Sequence, residues 1–287
     1  MAKTVLVTGA TGTVGRDVAK LLSKKGAAVR AGVRDQAKAR QRFDDDIALT
    51  TFDFENEGSF AAALDGVEKV FLLPPLLPNQ VELTNAFVDA AKRAGIRRIV
   101  KLSVIGIDDA PQFTFGKWHA ANEQHIRESG LAFTFLRPNS FMQNFIIYFP
   151  PRNGSIYLPW GNGTASFVDT RDIASVAAEV LTSDGHEEKI YTLTGPAALG
   201  IADVARILSE AVGRKFKYVD VPEGAARDGM LQAGIPEWQV EGIMELHAIN
   251  KQNRWSAITS DIEKVTDSPP TDFAQFARDH AEKFRAS

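Results

Sequence analysis

The 287-residue chain is 44% hydrophobic and 24% charged, with a formal net charge of −3 and no cysteine. That length and composition fit a soluble globule with one large α/β domain, or one plus a small appendage. The lack of cysteine excludes disulfides, thiolate metal sites and thiol nucleophiles, and the small net charge argues against a nucleic-acid or anionic-membrane partner. No apolar run approaches the ~20 residues of a spanning helix, and the chain runs at once into its first apolar stretch. A cytoplasmic protein without a signal peptide is therefore expected, as a monomer or homodimer.

Residues 3–8 read as a buried strand, followed directly by Gly9-Ala10-Thr11-Gly12-Thr13-Val14-Gly15. Val14, Val18, Leu21 and Leu22 then share one helical face. A nucleotide pyrophosphate needs this arrangement: a tight turn, backbone approach with no Cβ in the way, and helix N–H groups aimed at the anion. Gly9, Thr11, Gly12, Thr13, Val14 and Gly15 are accordingly assigned to a dinucleotide site. The plainer alternative is a glycine-rich turn between a strand and a helix. Further strands are predicted over 28–33, 47–52, 68–73, 99–102 and 132–136, with helices over 36–42, 59–64, 80–94 and 117–129. This alternation predicts a doubly wound parallel sheet of Rossmann type over residues 1–150.

After Pro138 the rhythm changes. Residues 139–165 read as irregular and rich in aromatics. A helix over 170–182, a strand over 189–193 and a helix over 201–212 follow. Two shorter helices are expected within 222–252 and a terminal helix over 271–285. A smaller C-terminal α/β lobe is expected over 151–287.

The second strand ends in Gly32-Val33, and Arg34 follows. An enzyme using NAD usually carries a carboxylate here to hold the ribose 2′-hydroxyl. A guanidinium instead pairs with a 2′-phosphate through two charge-assisted hydrogen bonds, with Lys38 one helical turn further on. NADP(H) is therefore favoured over NAD(H). The alternative reading makes Arg34 a surface arginine and Asp35 a helix N-cap. Asp53 and Phe54, at the end of the third strand, are placed to meet the adenine. Leu73, Pro74 and Pro75, at the end of the fourth, are placed to line the nucleotide cleft.

The glycine loop, Arg34 and the run Leu131-Ala132-Phe133-Thr134-Phe135-Leu136-Arg137-Pro138 resemble the atypical short-chain dehydrogenase/reductases. Within them the chain resembles the NmrA-like group, which includes triphenylmethane, type 2 quinone, azo and ergot alkaloid reductases. Phe167-Val168-Asp169-Thr170-Arg171-Asp172-Ile173-Ala174 resembles that group's segment returning to the first domain, so 166–183 is expected to rejoin it. The resemblance also implies that the C-terminal lobe binds substrate.

Most short-chain dehydrogenases use a Tyr-x-x-x-Lys pair to handle the carbonyl proton. Here the fourth residues after Tyr148, Tyr157, Tyr191 and Tyr218 are Arg152, Gly161, Gly195 and Pro222. In the segment matching the family's catalytic helix, Phe115 takes the tyrosine position and His119 the lysine position, and Ser103 matches the family's serine. Ketone chemistry is thus disfavoured, because it needs a proton donor for a developing alkoxide. Acceptors that take hydride without one remain: quinones, iminium ions, cationic dyes and azo compounds. For these the protein mainly positions the nicotinamide and excludes water.

Such acceptors are flat and apolar, so Phe115, Trp118, Phe141, Met142, Phe145, Phe149 and Trp160 are assigned to a substrate pocket. The alternative is that these aromatics pack the smaller lobe. His119 is the candidate catalytic group, donating a proton or holding the nicotinamide ribose, and the competing reading is a helix-surface histidine. Asn139 is expected to meet the cofactor's amide, and Ser103 is counted with the cofactor site. No metal site is expected. Two functions follow: an NADPH-dependent reductase of a conjugated aromatic small molecule, or a non-catalytic NADP(H) sensor of the regulatory kind that the group also contains.

Overall fold

The computed structural model describes residues 4–109 and 113–285. Its elements begin with β1 (Thr4–Val7), α1 (Thr13–Lys24), β2 (Ala28–Val33), α2 (Gln36–Arg40), β3 (Ile47–Thr51), α3 (Phe60–Leu64) and β4 (Val67–Leu72). Next come α4 (Gln80–Arg93), β5 (Arg98–Leu102), α5 (Thr114–Ser129), β6 (Ala132–Pro138), α6 (Asn144–Ile147), β7 (Ser155–Leu158) and β8 (Thr164–Ala165). They are followed by α7 (Thr170–Thr182), β9 (Lys189–Leu193), β10 (Leu199–Gly200), α8 (Ile201–Val212) and β11 (Lys217–Asp220). The chain closes with α9 (Glu223–Gln232), α10 (Glu237–Lys251), α11 (Asp261–Thr266), α12 (Phe273–Asp279) and α13 (Ala281–Arg285).

Seven strands form one sheet in the order β3-β2-β1-β4-β5-β6-β9. The pairings from β3 to β6 are all parallel. β9 runs the same way beside β6, since Glu188 N donates to Phe133 O at 2.7 Å and Asn139 N to Leu193 O at 2.9 Å. This is the Rossmann-type sheet expected from the strand–helix alternation. The order reverses between β1 and β4, and such a reversal opens a crevice at the carboxyl ends of the strands. Helix α1 covers the sheet with Val14, Val18, Ala19 and Leu22, all buried. A second apolar layer is built on rings, with Phe52 and Phe87 each in contact with the other and with Phe54 and Phe60 at 4.9–5.6 Å.

The chain divides into two compact units. The first takes residues up to Ile107, Gly116–Arg137 and Arg171–Thr192; the second takes Asp108–Phe115, Pro138–Thr170 and the chain from Leu193 onward. The second unit pairs β7 with β11 in parallel and β8 with β10 antiparallel. Its core is aromatic, with Phe145, Trp160, Phe167, Phe273, Phe276 and Phe284 buried together.

Two expectations are corrected. Residues 139–165 are not irregular throughout, since they contain α6, β7 and β8. β7 is four residues long and finds its partner some sixty positions later in β11, so no local periodicity announces it. The terminal segment is two short helices rather than one, broken at His280, which leaves helical geometry with φ −113°.

Candidate functional site

Between β1 and α1 the chain turns through Gly9 at φ +60°, a conformation that side chains disfavour. Gly12 N donates to Gly9 O at 2.9 Å, and Gly12 caps α1 without a side chain. The first N–H groups of α1 therefore remain available to an external acceptor, and no acidic residue lies in that first turn. Gly15 is required by close approach. A Cβ there would overlap the carbonyl oxygen of Gly9 and lie 2.8 Å from its carbonyl carbon.

Thr8, fully buried, fixes this loop to the end of β4. Its Oγ1 accepts from Leu73 N at 2.8 Å and lies 3.2 and 3.3 Å from the carbonyl oxygens of Leu73 and Phe71. One hydroxyl thus ties the glycine loop to Leu73-Pro74-Pro75, of which Pro74 is buried and the other two are partly exposed. On the loop itself Thr11 and Gly12 are exposed, Thr13 is half-buried and Val14 is buried. Arg42 Nη1 donates to Thr11 O at 3.1 Å.

Just past β2, Arg34 is exposed and has no hydrogen-bond or ion-pair partner among the described residues. Asp35 is the N-cap of α2 and accepts from Lys38 N at 3.0 Å. That backbone hydrogen bond is the first cause holding the Asp35 carboxyl below its ordinary range. The Lys38 ammonium lies 3.5 Å from the same carboxylate, so Lys38 is shared while Arg34 is not. Asp53 Oδ1 accepts from Glu55 N at 3.1 Å. Phe54 is 8% exposed and packs on Phe52, which leaves little of its ring for an adenine.

A buried polar group follows β5. Glu123, 0% exposed, accepts from Ser103 Oγ at 2.6 Å, from Arg137 Nε at 3.1 Å and Nη2 at 2.7 Å, and from Arg127 Nη2 at 3.1 Å. Such a carboxylate is tolerated inside only because every approach to it is a donor. Lys101, also 0% exposed, places Nζ 2.8 Å from His119 Nδ1. Burial pushes the Lys101 ammonium down to about 7; Glu123 opposes that shift and Arg137 adds to it. His119 keeps some exposed surface as a residue, but burial of the ring, then the Lys101 charge, hold its imidazole well below the ordinary range. The imidazole is therefore neutral near pH 7. When the protonated Lys101 donates to Nδ1, the imidazole hydrogen sits on Nε2. The pair can give a proton at Nε2 and take one at Nδ1.

Several assignments are corrected by burial and hydrogen bonding. Asn139 is 2% exposed; its Nδ2 donates to Ser166 Oγ at 2.7 Å and Trp255 O at 2.8 Å, and its Oδ1 accepts from Ser140 N at 2.7 Å. Both amide hydrogens are committed to the second unit, which leaves none for a cofactor amide. Met142, Phe145 and Trp160 are 1%, 1% and 3% exposed within that unit's core, and are packing residues rather than an open wall. Phe141 is half-buried and bridges to Val168. Phe115 is half-buried against Gly242, where any Cβ would overlap its ring. Trp118, in the first unit, is half-buried. Phe149 lines a 360 Å³ cavity of the second unit together with Tyr148, Tyr157, Met230 and His247.

Sequence reading missed Thr8, Arg42, Lys101, Glu123 and His247. A signal existed for Lys101: a lysine inside the apolar run Ile99-Val100-Lys101-Leu102 must be buried and must have a partner. Glu123 and Arg127 stand four apart on α5, but nothing in the sequence marks that face as buried. Among the described residues no group of three or more side chains is arranged to hold a metal ion, and no helix is long and apolar enough to cross a membrane.

The model of the NmrA-like family matches residues 1–277. The chain is 39% identical over 285 residues to the NAD(P)H azoreductase of Xenophilus azovorans, covering 99% of this chain and 100% of that protein. The structure is similar to that of Citrobacter sp. triphenylmethane reductase complexed with NADP(H), with TM-score 0.86 and 26% identity over 96% of this chain and 99% of the other. It is also similar to an NADPH-dependent quinone oxidoreductase of Escherichia coli complexed with NADPH, with TM-score 0.86 and 25% identity over 96% and 98% of the two chains. With its glycine loop, its parallel sheet and these similarities over nearly its full length, the chain belongs to the NmrA-like family.

Proposed function

We propose that this chain is an NAD(P)H-dependent oxidoreductase that reduces an electrophilic conjugated small molecule of quinone, azo, iminium or cationic-dye type. One observation carries the reading: the loop that Gly9, Gly12 and Gly15 build at the uncapped start of α1. Backbone packs there so closely that only glycine fits at Gly15, and the free N–H groups suit a diphosphate. The azoreductase, triphenylmethane reductase and quinone oxidoreductase relatives support the same class.

When bound, the dinucleotide supplies hydride to the acceptor. The residues of the chain do the rest. Gly9, Thr11, Gly12, Thr13, Val14 and Gly15 hold the diphosphate. Arg34, whose guanidinium has no other partner among the described residues, takes a 2′-phosphate with help from Lys38, which favours NADP(H) over NAD(H). Asp53 with Leu73, Pro74 and Pro75 borders the nucleotide, and Ser103 stands beside it. Toward a quinone or azo acceptor, which hydride turns into an anion, His119 gives a proton from Nε2 and receives one at Nδ1 from Lys101, 2.8 Å away. For those acceptors two electrons and one hydrogen arrive as hydride and the second hydrogen as a proton, which water returns to the pair through the partly exposed His119; an iminium ion or cationic dye is neutralised by the hydride alone and needs no proton. With Phe115 standing where a tyrosine would be, the acceptor is one already activated toward hydride. No observation favours a non-catalytic sensor.

The test is loss of NADPH absorbance in the presence of quinones, azo dyes, cationic triarylmethane dyes and cyclic iminium salts. Turnover with at least one class is expected. A correctly folded protein that oxidises NADPH with none of them overturns the reading.

A further inference from the structure

The second unit holds a cavity that the dinucleotide reading does not use. Its volume is 360 Å³, which suits a ligand of two or three fused rings. Helix α9 contributes Ala225, Ala226 and Gly229, and Ala233 follows at its C-terminal cap, giving a face of small side chains at helical spacing. No residue of α9 is fully buried, so this face fronts open space where a neighbouring element would ordinarily pack. Tyr148, Phe149, Tyr157 and Met230 add aromatic and thioether surface, and Tyr148 and Tyr157 remain 54% and 50% exposed.

Besides the hydroxyls of Tyr148 and Tyr157, two polar side chains interrupt this lining, His247 and Arg152, and neither has its hydrogen-bonding capacity filled by the described residues. His247 is 3% exposed, and its Nδ1 accepts from Trp160 Nε1 at 2.8 Å. An indole N–H only donates, so the imidazole hydrogen is on Nε2, and that N–H has no partner among the described residues. Burial pushes the imidazole down to about 4, which keeps it neutral near pH 7. Arg152 is the one charged side chain among the lining residues, and its guanidinium has no partner among the described residues. An imidazole N–H and an exposed guanidinium, neither with a protein partner among the described residues, thus stand in the lining of an apolar cavity, where one ligand can meet both.

We propose that this cavity is a binding site for a flat aromatic anion, its rings against the small face of α9 and the aromatic side chains, its carboxylate or sulfonate on Arg152, and an acceptor atom on His247 Nε2–H. A cationic arene would leave Arg152 unmatched and place like charges together. The site is argued from the second unit alone and does not depend on the dinucleotide reading.

Calorimetric titration of anthraquinone-2-sulfonate into the whole protein, with no dinucleotide present, tests it separately from the reductase reading. One saturable site is expected. Arg152→Gln, a substitution of an exposed residue, is expected to weaken binding about tenfold or more through the lost charge-assisted contact. Ala226→Trp, which fills the cavity, is expected to abolish it, with unchanged circular dichroism showing that the variant is folded. The cation N-methylacridinium is expected to bind at least about tenfold more weakly than the sulfonate. No binding by the wild-type protein, wild-type affinity in both variants, or equal affinity for the cation would each overturn the proposal.

Discussion

Gly15→Ala probes the geometry on which the dinucleotide site rests. The added methyl would overlap Gly9 O, lie 2.8 Å from Gly9 C and lie 3.1 Å from Ala10 Cα. These are backbone atoms with no rotamer to yield. Restoring an ordinary carbon–carbon separation of about 3.5 Å requires α1 and the loop to part by roughly 0.7 Å. Overpacking of that kind costs about 1–3 kcal/mol, and the same displacement moves the helix N–H groups away from the diphosphate. Gly12→Ala is the matched control. Its Cβ would meet only Gly9 O, at 3.2 Å, and its φ of −80° is open to any residue. Urea denaturation without ligand should therefore show a clear loss for Gly15→Ala and less than about 1 kcal/mol for Gly12→Ala. NADPH titration should show at least about tenfold weaker binding for Gly15→Ala. Equal stability in the two variants, or wild-type NADPH affinity in Gly15→Ala, would refute the packing argument.

Arg34→Ala should weaken NADPH binding by about 10- to 100-fold, as expected for losing charge-assisted hydrogen bonds worth about 1.5–3 kcal/mol. Binding of NADH should be unchanged; fluorescence titration with both coenzymes reads this ratio, and an unaltered ratio removes Arg34 from the 2′-phosphate site. For Lys101 the sign follows from burial. The native lysine sheds its proton near 7, while the unfolded chain keeps it to the ordinary 10.5. The unfolded state therefore binds more protons in that window, and wild-type stability should rise with pH by up to about 1.4 kcal/mol per unit. Lys101→Met should flatten this slope and gain stability at pH 6, as read from denaturation midpoints; a slope unchanged by the substitution contradicts the buried-amine account. Glu123→Gln removes the charge that Arg127 and Arg137 share and should cost about 2–4 kcal/mol in the same assay. A loss below about 1 kcal/mol would show that the network is not held by that carboxylate.

The parallel sheet and glycine loop were legible because their signals are local. Val14, Val18 and Leu22 mark the helix, Gly12 and Gly15 mark the turn, and each strand is a short apolar run between them. Pairing between remote segments left no such trace, so β7 and β11 were missing from the sequence reading. Aromatic composition proved ambiguous for a physical reason. A ring that lines a pocket and a ring that fills a core are the same residue type, and only burial separates Phe149 from Phe145 and Trp160. Asn139 failed in a related way: it directly follows β6, where a ligand contact was expected, yet Ser166 and Trp255 claim its amide hydrogens. The amine behind His119 was hidden because the partners sit on different elements, β5 and α5, eighteen residues apart.

Calorimetric titration of wild-type protein with NADPH and NADH most directly tests the central claim, that backbone amides of the β1–α1 turn hold a pyridine dinucleotide. A single saturable site is expected, tighter for NADPH, with its heat sharply reduced in Gly15→Ala. Folded protein that gives no heat with either coenzyme would contradict it.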